Sequence, residues 1–234
     1  MKTGYHIGLK MTKTQKILGW LYLPVYLVLL SMGLAALEDF LGLNLSNLER
    51  NVCYFAINFV FVLSVYGKFL LKSIRGFSED FWKFVQTLIL GFVLYYFTAF
   101  VLAWAMNTFF SVPANPNDAA VRDLLGESRV LMLVVSVVIA PIVEETLLRG
   151  VVFGTFHPKA RIFGYVASAL VFSVMHVWQF FPDTSVLNLC LSALQYIPAS
   201  VALCWTYEKA GTLWAPIVLH GFINAISVGV TVFS

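Results

Sequence analysis

Apolar runs without a charged residue follow one another along the chain, at residues 17–37, 51–67, 84–117, 130–143, 162–182, 184–207 and 210–234. A membrane span needs about 20 apolar residues, fewer where flanking side chains snorkel or the bilayer thins. An open sheet would leave backbone groups unpaired in lipid, so the runs predict seven helices. The third run is the longest. Its helix is expected to end near Ser111, with Val112-Pro-Ala-Asn-Pro-Asn-Asp118 forming a turn-rich loop. The fourth run is short for a span, so its helix should continue through Glu144, Glu145 and Arg149, which places three charges inside the membrane.

Composition supports this reading. Hydrophobic residues make up 60% of the 234 positions and charged residues 12%, about half the charged share of an ordinary soluble domain. Disorder, a nucleic-acid-binding module and an ordinary cytosolic enzyme are thereby excluded. The fold class is an all-α polytopic transmembrane bundle of about seven spans, with the lipid bilayer as its first partner and no nucleic acid. Residues 1–16 read as a polar, basic arm, 17–129 as N-terminal membrane helices, and 130–234 as the part that carries the chemistry. No cleavable signal peptide is expected, because the first apolar run is too long for a signal core. Cys53, Cys190 and Cys204 all fall in apolar runs. Their odd number and wide spacing argue for small packing residues rather than a disulfide framework.

The net charge of +3 is uninformative as a total, but its distribution is not. Lys2, Lys10, Lys13, Lys16, Lys68, Lys72, Arg75, Lys83, Lys159, Arg161 and Lys209 fall on one side of the expected spans; Arg50, Arg122 and Arg129 fall on the other. This eleven-to-three split predicts a cytoplasmic N-terminus and an external C-terminus.

Glu144-Glu145-Thr-Leu-Leu-Arg149 is the first candidate site. An ionised side chain at mid-bilayer costs at least about 2.5–3.5 kcal/mol, so an adjacent pair of glutamates reads as functional. Glu145 and Arg149 are i, i+4 on one helix face and suit an ion pair. Glu144 points about 100° away and lacks that partner. A carboxylate held unpaired in an apolar bundle is a competent general base near neutral pH. Pro141 removes a backbone hydrogen bond just before it and can bend the helix. The competing reading is a solvated, structural Glu-Glu-Arg cluster at a helix end. His6 and His157 lie in polar segments and are expected to be solvated, whereas His176 and His220 lie in apolar runs. His220 and Asn224 are i, i+4 and share a helix face. Two histidines, an asparagine and an unpaired glutamate can activate water and stabilise an oxyanion.

Other intramembrane protease patterns are missing. No HExxH follows either membrane histidine, no Gly-x-Ser-Gly or Gly-x-Gly-Asp occurs, and no serine stands out as a nucleophile. Glu144-Glu145-x-x-x-Arg149, Phe172-x-x-x-His176 and His220-x-x-x-Asn224, in that order on three runs and with Leu213-Trp-Ala-Pro-Ile leading into the last, resemble the CPBP family of CAAX-prenyl-protease and bacteriocin-processing (Abi-type) enzymes. The resemblance covers roughly residues 130–225. It implies an intramembrane endopeptidase acting on a peptide or membrane-anchored protein. Glu144 would activate water with His176 assisting, His220 and Asn224 would form the oxyanion hole, and Glu145 and Arg149 would support the site. It implies no required cofactor, although zinc held by Glu144, His176 and His220 is the alternative. Relatives have also been assigned non-catalytic roles, as membrane regulators or immunity proteins that bind a sensor kinase or a peptide. A transporter is disfavoured by the absence of repeat symmetry.

Overall fold

The computed structural model describes residues 9–74, 80–110, 112 and 114–233, apart from the side chains of 231–233. Among these residues every regular element is helical. Six helices are long and apolar enough to cross a membrane: α1 (Lys13–Leu41), α2 (Asn47–Ser73), α3 (Phe81–Phe109), α5 (Arg129–Phe156), α6 (Arg161–Phe180) and α7 (Val186–Ala210). A shorter apolar helix, α8 (Trp214–Phe233), completes the seven. The chain is an integral membrane protein. Its outer surface is apolar, as lipid demands, with Phe40 84% and Ile162 79% exposed.

Polar residues mark the helix starts. Thr12 and Gln15 form a capping box ahead of α1, and Ser46 and Glu49 do the same for α2. Helix α1 therefore starts at Lys13, inside the segment expected to be a polar arm. The predicted 112–118 loop is corrected. Asn115 caps, and Pro116 opens, a twelve-residue helix α4 (Pro116–Glu127) with Asp118 in its first turn. Proline at N1 after an asparagine cap is a favourable helix start. Ser111 and Pro113 lie outside the described residues, as do His6, Lys2 and Arg75.

One apolar core joins the two halves of the chain. Tyr26, Val62, Tyr66 and Phe69 pack in the same cluster as Val143, Leu147, Val151, Phe172, Leu203 and Leu219. Lys16 Nζ reaches the Gly154 carbonyl at 2.6 Å, and Trp20 Nε1 donates to Thr155 at 3.2 Å. These bonds tie α1 along the second half of α5. Close backbone approach is confined to a few points. A Cβ at Gly221 would come within 2.6 Å of the Val137 carbonyl, so only glycine lets α8 lie directly on α5 there.

Three stretches widen into π-helical turns: Val25–Leu29 directly after Pro24, Val135–Ile139 directly before Ala140-Pro141, and Thr146–Phe153. The second contains Ser136, which Asn224 binds, and the third carries Arg149. Helix α5 continues to Phe156, so Glu144 lies about 18 Å from its basic end. His176 lies about 22 Å from Arg161 along α6. An α5 ending near Arg149 would have set the two residues at different depths. The longer helix brings them level.

Among the cysteines, Cys204 is buried, whereas Cys53 and Cys190 are free thiols on the outer face. The packing expectation therefore holds for one of the three.

Candidate active site

Glu145 and Arg149 are both 0% exposed and Glu144 is 5% exposed, so the cluster is not a solvated helix end. Arg149 Nη1 donates to Glu145 Oε1 at 2.8 Å, the i, i+4 pair expected from the spacing. Its Nη2 reaches Ser200 Oγ at 3.1 Å, and its Cζ sits 4.6 Å above the Phe172 ring. A buried guanidinium is thus met by a carboxylate, a hydroxyl and an aromatic face.

The same Glu145 oxygen also accepts from His220 Nδ1 at 2.8 Å. With Nδ1 protonated toward Glu145, the other ring nitrogen of His220 points onward, and its Nε2 lies 3.9 Å from Glu144 Oε2. Glu144 Oε2 has no hydrogen-bond partner among the described residues. The two adjacent glutamates are therefore bridged by one imidazole from α8, with Glu145 orienting it and Glu144 facing its free nitrogen.

Asn224, one turn beyond His220, donates from Nδ2 to the Ser136 carbonyl at 2.8 Å. The local backbone explains this bond. In the π-helical turn Ala140 N–H bonds to Val135 rather than Ser136, and Pro141 has no N–H to give. The Ser136 carbonyl is orphaned, and the asparagine satisfies it. His176 donates from Nδ1 to the Phe172 carbonyl at 2.8 Å and stacks on Tyr196, with ring centroids 4.3 Å apart. Its Nε2 is its free nitrogen. The Phe172 ring is the shared neighbour, with His176 centred 4.6 Å and His220 5.8 Å from it.

Among the described residues no group of three or more His, Cys, Asp or Glu side chains is placed to hold a metal ion. Glu144, His176 and His220 do not form such a ligand set.

Two clusters escaped the sequence reading. Tyr26, 2% exposed in the first π-helical turn, packs in the same core cluster as Val143 and Leu147, on either side of the glutamate pair. Its only sequence signal is the preceding Pro24. The second cluster corrects the expectation for His157, which is buried and pairs its Nε2 with Glu208 Oε1 at 3.1 Å. Arg161 donates twice to that carboxylate, at 2.7 and 3.0 Å, and Tyr165 donates its hydroxyl. This group clasps the basic ends of α5, α6 and α7 away from Glu144.

Residues 126–226 match the family model described as Rce1-like, type II CAAX prenyl endopeptidase Rce1-like. That segment contains Glu144, Glu145, Arg149, His176, His220 and Asn224, and leaves out Tyr26 and Tyr54. A Bacillus subtilis (strain 168) protein named "Putative membrane peptidase YdiL" is 26% identical over 115 residues, which is 49% of this chain and 42% of that protein. The match thus spans less than half the length of the relative. No solved structure matches the chain. Over the segment that carries all three motifs, the resemblance to CPBP enzymes is met by a match to the Rce1-like type II CAAX prenyl endopeptidase family.

Proposed function

We propose that the chain is an intramembrane endopeptidase that hydrolyses a peptide bond of a membrane-associated peptide or protein precursor. The observation carrying this reading is the unpartnered Glu144 Oε2, 3.9 Å from the Nε2 of a histidine whose orientation Glu145 fixes. Both atoms can reach one water at ordinary hydrogen-bond distance. Glu144 takes a proton from that water as its oxygen attacks the scissile carbonyl carbon. The carbonyl π pair moves to oxygen, and the resulting oxyanion is met by an N–H of Asn224 and by Nε2–H of His220, which serves as a donor as the imidazolium held between the two glutamates, its Nδ1–H staying on Glu145. Asn224 has two N–H bonds, and the one not spent on Ser136 serves here. Collapse of the tetrahedral adduct breaks the C–N bond, and the proton held by Glu144 passes to the leaving amine. His176 assists through its free Nε2, and the Glu145–Arg149 pair holds His220 in place. In this reading the chain sits in a bacterial plasma membrane with its N-terminus cytoplasmic.

Glu144→Gln provides the test. The change is nearly isosteric and removes the base, so membranes of the variant should accumulate a precursor that wild-type membranes process. Cleavage of a fluorescence-quenched farnesylated CAAX peptide, the first probe that the matched family suggests, should be lost if it occurs. A precursor profile identical to wild type would favour a non-catalytic binding role.

A further inference from the structure

Helix α7 breaks partway along its length. Its first part ends at Leu194 and its second opens with Ile197-Pro198. Pro198 has no N–H to close onto the Leu194 carbonyl. The chain turns there through Gln195 and Tyr196, whose N–H groups bond to the Ser192 and Ala193 carbonyls at 3.2 and 3.1 Å. Beyond the break, Tyr196 and Ser200 stand one turn apart on one face, and the Ser200 N–H donates to the Tyr196 carbonyl at 3.1 Å. Ser200 meets Arg149, and Tyr196 meets His176. One turn of α7 thus touches both the buried charge pair and the second membrane histidine.

The contact with His176 is a face-to-face stack, with ring centroids 4.3 Å apart and planes 23° apart. Phe172 closes another side of the imidazole, 4.6 Å from His176 and 6.3 Å from Tyr196, so His176 sits in a corner made by two rings. The far end of Tyr196 is tethered as well. Its hydroxyl reaches Asn115 Oδ1 at 3.4 Å, and Asn115, which is buried, donates to Gln195 Oε1 at 3.1 Å.

The bond from Nδ1 to the Phe172 carbonyl fixes one atom of the imidazole and leaves its plane free to swing about that atom. The outer torsion of a histidine has no sharp wells to stop it. A stacked ring removes this freedom, because tilting the imidazole would drive its edge into the tyrosine face. Nε2 then points in one direction. A group that assists at a reacting centre has to be held to within about half an ångström.

We propose that Tyr196 is a positioning residue for His176; this rests on the reading of His176 as the group that assists Glu144. Tyr196 makes no contact with substrate in this assignment and acts only through the plane of the imidazole.

The test uses the whole chain in lipid nanodiscs, labelled with 13C,15N-histidine for magnetic resonance. The four histidines give few ring signals, and His176→Gln identifies one set by its loss. In Tyr196→Leu the order parameter of the His176 ring should fall, and its ring protons should move downfield as the shielding tyrosine face is lost. Turnover of the farnesylated CAAX peptide should fall about ten- to a hundredfold in kcat at unchanged KM, the effect of a misplaced group at the reacting step. Tyr196→Phe keeps the stacked face and should restore the order parameter and most of kcat. If Tyr196→Leu folds poorly, Tyr196→Met fills the space without a flat face and must show the same changes. Undiminished ring order in the folded variants overturns the proposal, whether or not the peptide is cleaved. So does lowered order with unchanged kcat, or lowered order that Tyr196→Phe does not restore. Failure of both the leucine and methionine variants to fold makes Tyr196 a structural residue and overturns it too. Cleavage retained in His176→Gln overturns the assisting role of His176 instead, and the change in ring order would still establish the contact.

Discussion

Glu145→Ala tests the buried pair most sharply, because one oxygen atom serves two partners. Glu145 Oε1 accepts from Arg149 Nη1 and from His220 Nδ1, each at 2.8 Å, with Glu145 and Arg149 both fully buried. Truncation leaves Arg149 with Ser200 at 3.1 Å and the face of Phe172, neither of which neutralises its charge. Breaking a buried pair in this way costs about 3–5 kcal/mol. For a chain of this size that corresponds to a fall in melting temperature of about 6–20 °C, readable by tryptophan fluorescence in nanodiscs. Removing both charges with Glu145→Leu and Arg149→Met should recover most of the loss. It should leave a deficit of about 1–3 kcal/mol, because the Nδ1 of His220 is then a buried donor without an acceptor. Adding His220→Phe should remove that remainder. Additive losses in the Glu145 and Arg149 single and double variants, or full recovery in the double variant with His220 intact, would refute the account of a carboxylate shared between a guanidinium and an imidazole.

Gly221→Ala should lower stability by about 1–3 kcal/mol in thermal unfolding, since the new methyl meets the Val137 carbonyl and α8 has to move off α5. Glu208→Ala should destabilise by at least about 1–3 kcal/mol, because His157 and Tyr165 lose their acceptor; cleavage per folded molecule should stay at the wild-type level, as this cluster lies away from Glu144. Cleavage should survive strong chelators. Stoichiometric zinc in purified protein, with activity lost on chelation and restored on zinc return, would refute metal-free catalysis. A phosphatase reporter fused at the C-terminus should be active outside the cell, as the asymmetry of basic residues requires; an inactive fusion would reverse the orientation.

The parts of this protein that were legible in its sequence are those set by local periodicity. Seven apolar runs became seven helices, and the Glu145–Arg149 bond followed from i, i+4 spacing alone. The contacts that join different spans were not legible. Glu145 meets His220 across 75 positions and Asn224 meets Ser136 across 88, and no spacing rule brings such residues together. His157 reads as a loop histidine because Glu208, its acceptor, stands at the end of another apolar run. Helix α4 is a different case. Asn115-Pro116 followed by Asp118 is a readable start signal, but two prolines and two asparagines within five residues outweighed it as turn formers.

The prolines show how helices in lipid can present polar groups inward. A regular α-helix in the bilayer satisfies its own backbone, leaving little for side chains to bind. Pro24 and Pro141 each adjoin a π-helical turn, where the hydrogen-bond register shifts by one residue. On α5 the shift frees the Ser136 carbonyl, and Asn224 takes it, which sets the rotation of α8 and therefore the height of His220 against the glutamates. On α1 the widened turn brings Tyr26 inward, and Tyr54 holds its carbonyl from α2. Both distortions thus create a backbone acceptor or a side-chain direction that a second helix reads. Restoring regular helix at either point, for example with Pro141→Ala, should close the Ser136 carbonyl onto its own helix and release Asn224. Stability should then hold or rise while the His220–Glu144 approach is lost, which is the opposite of what removing a purely structural kink would do.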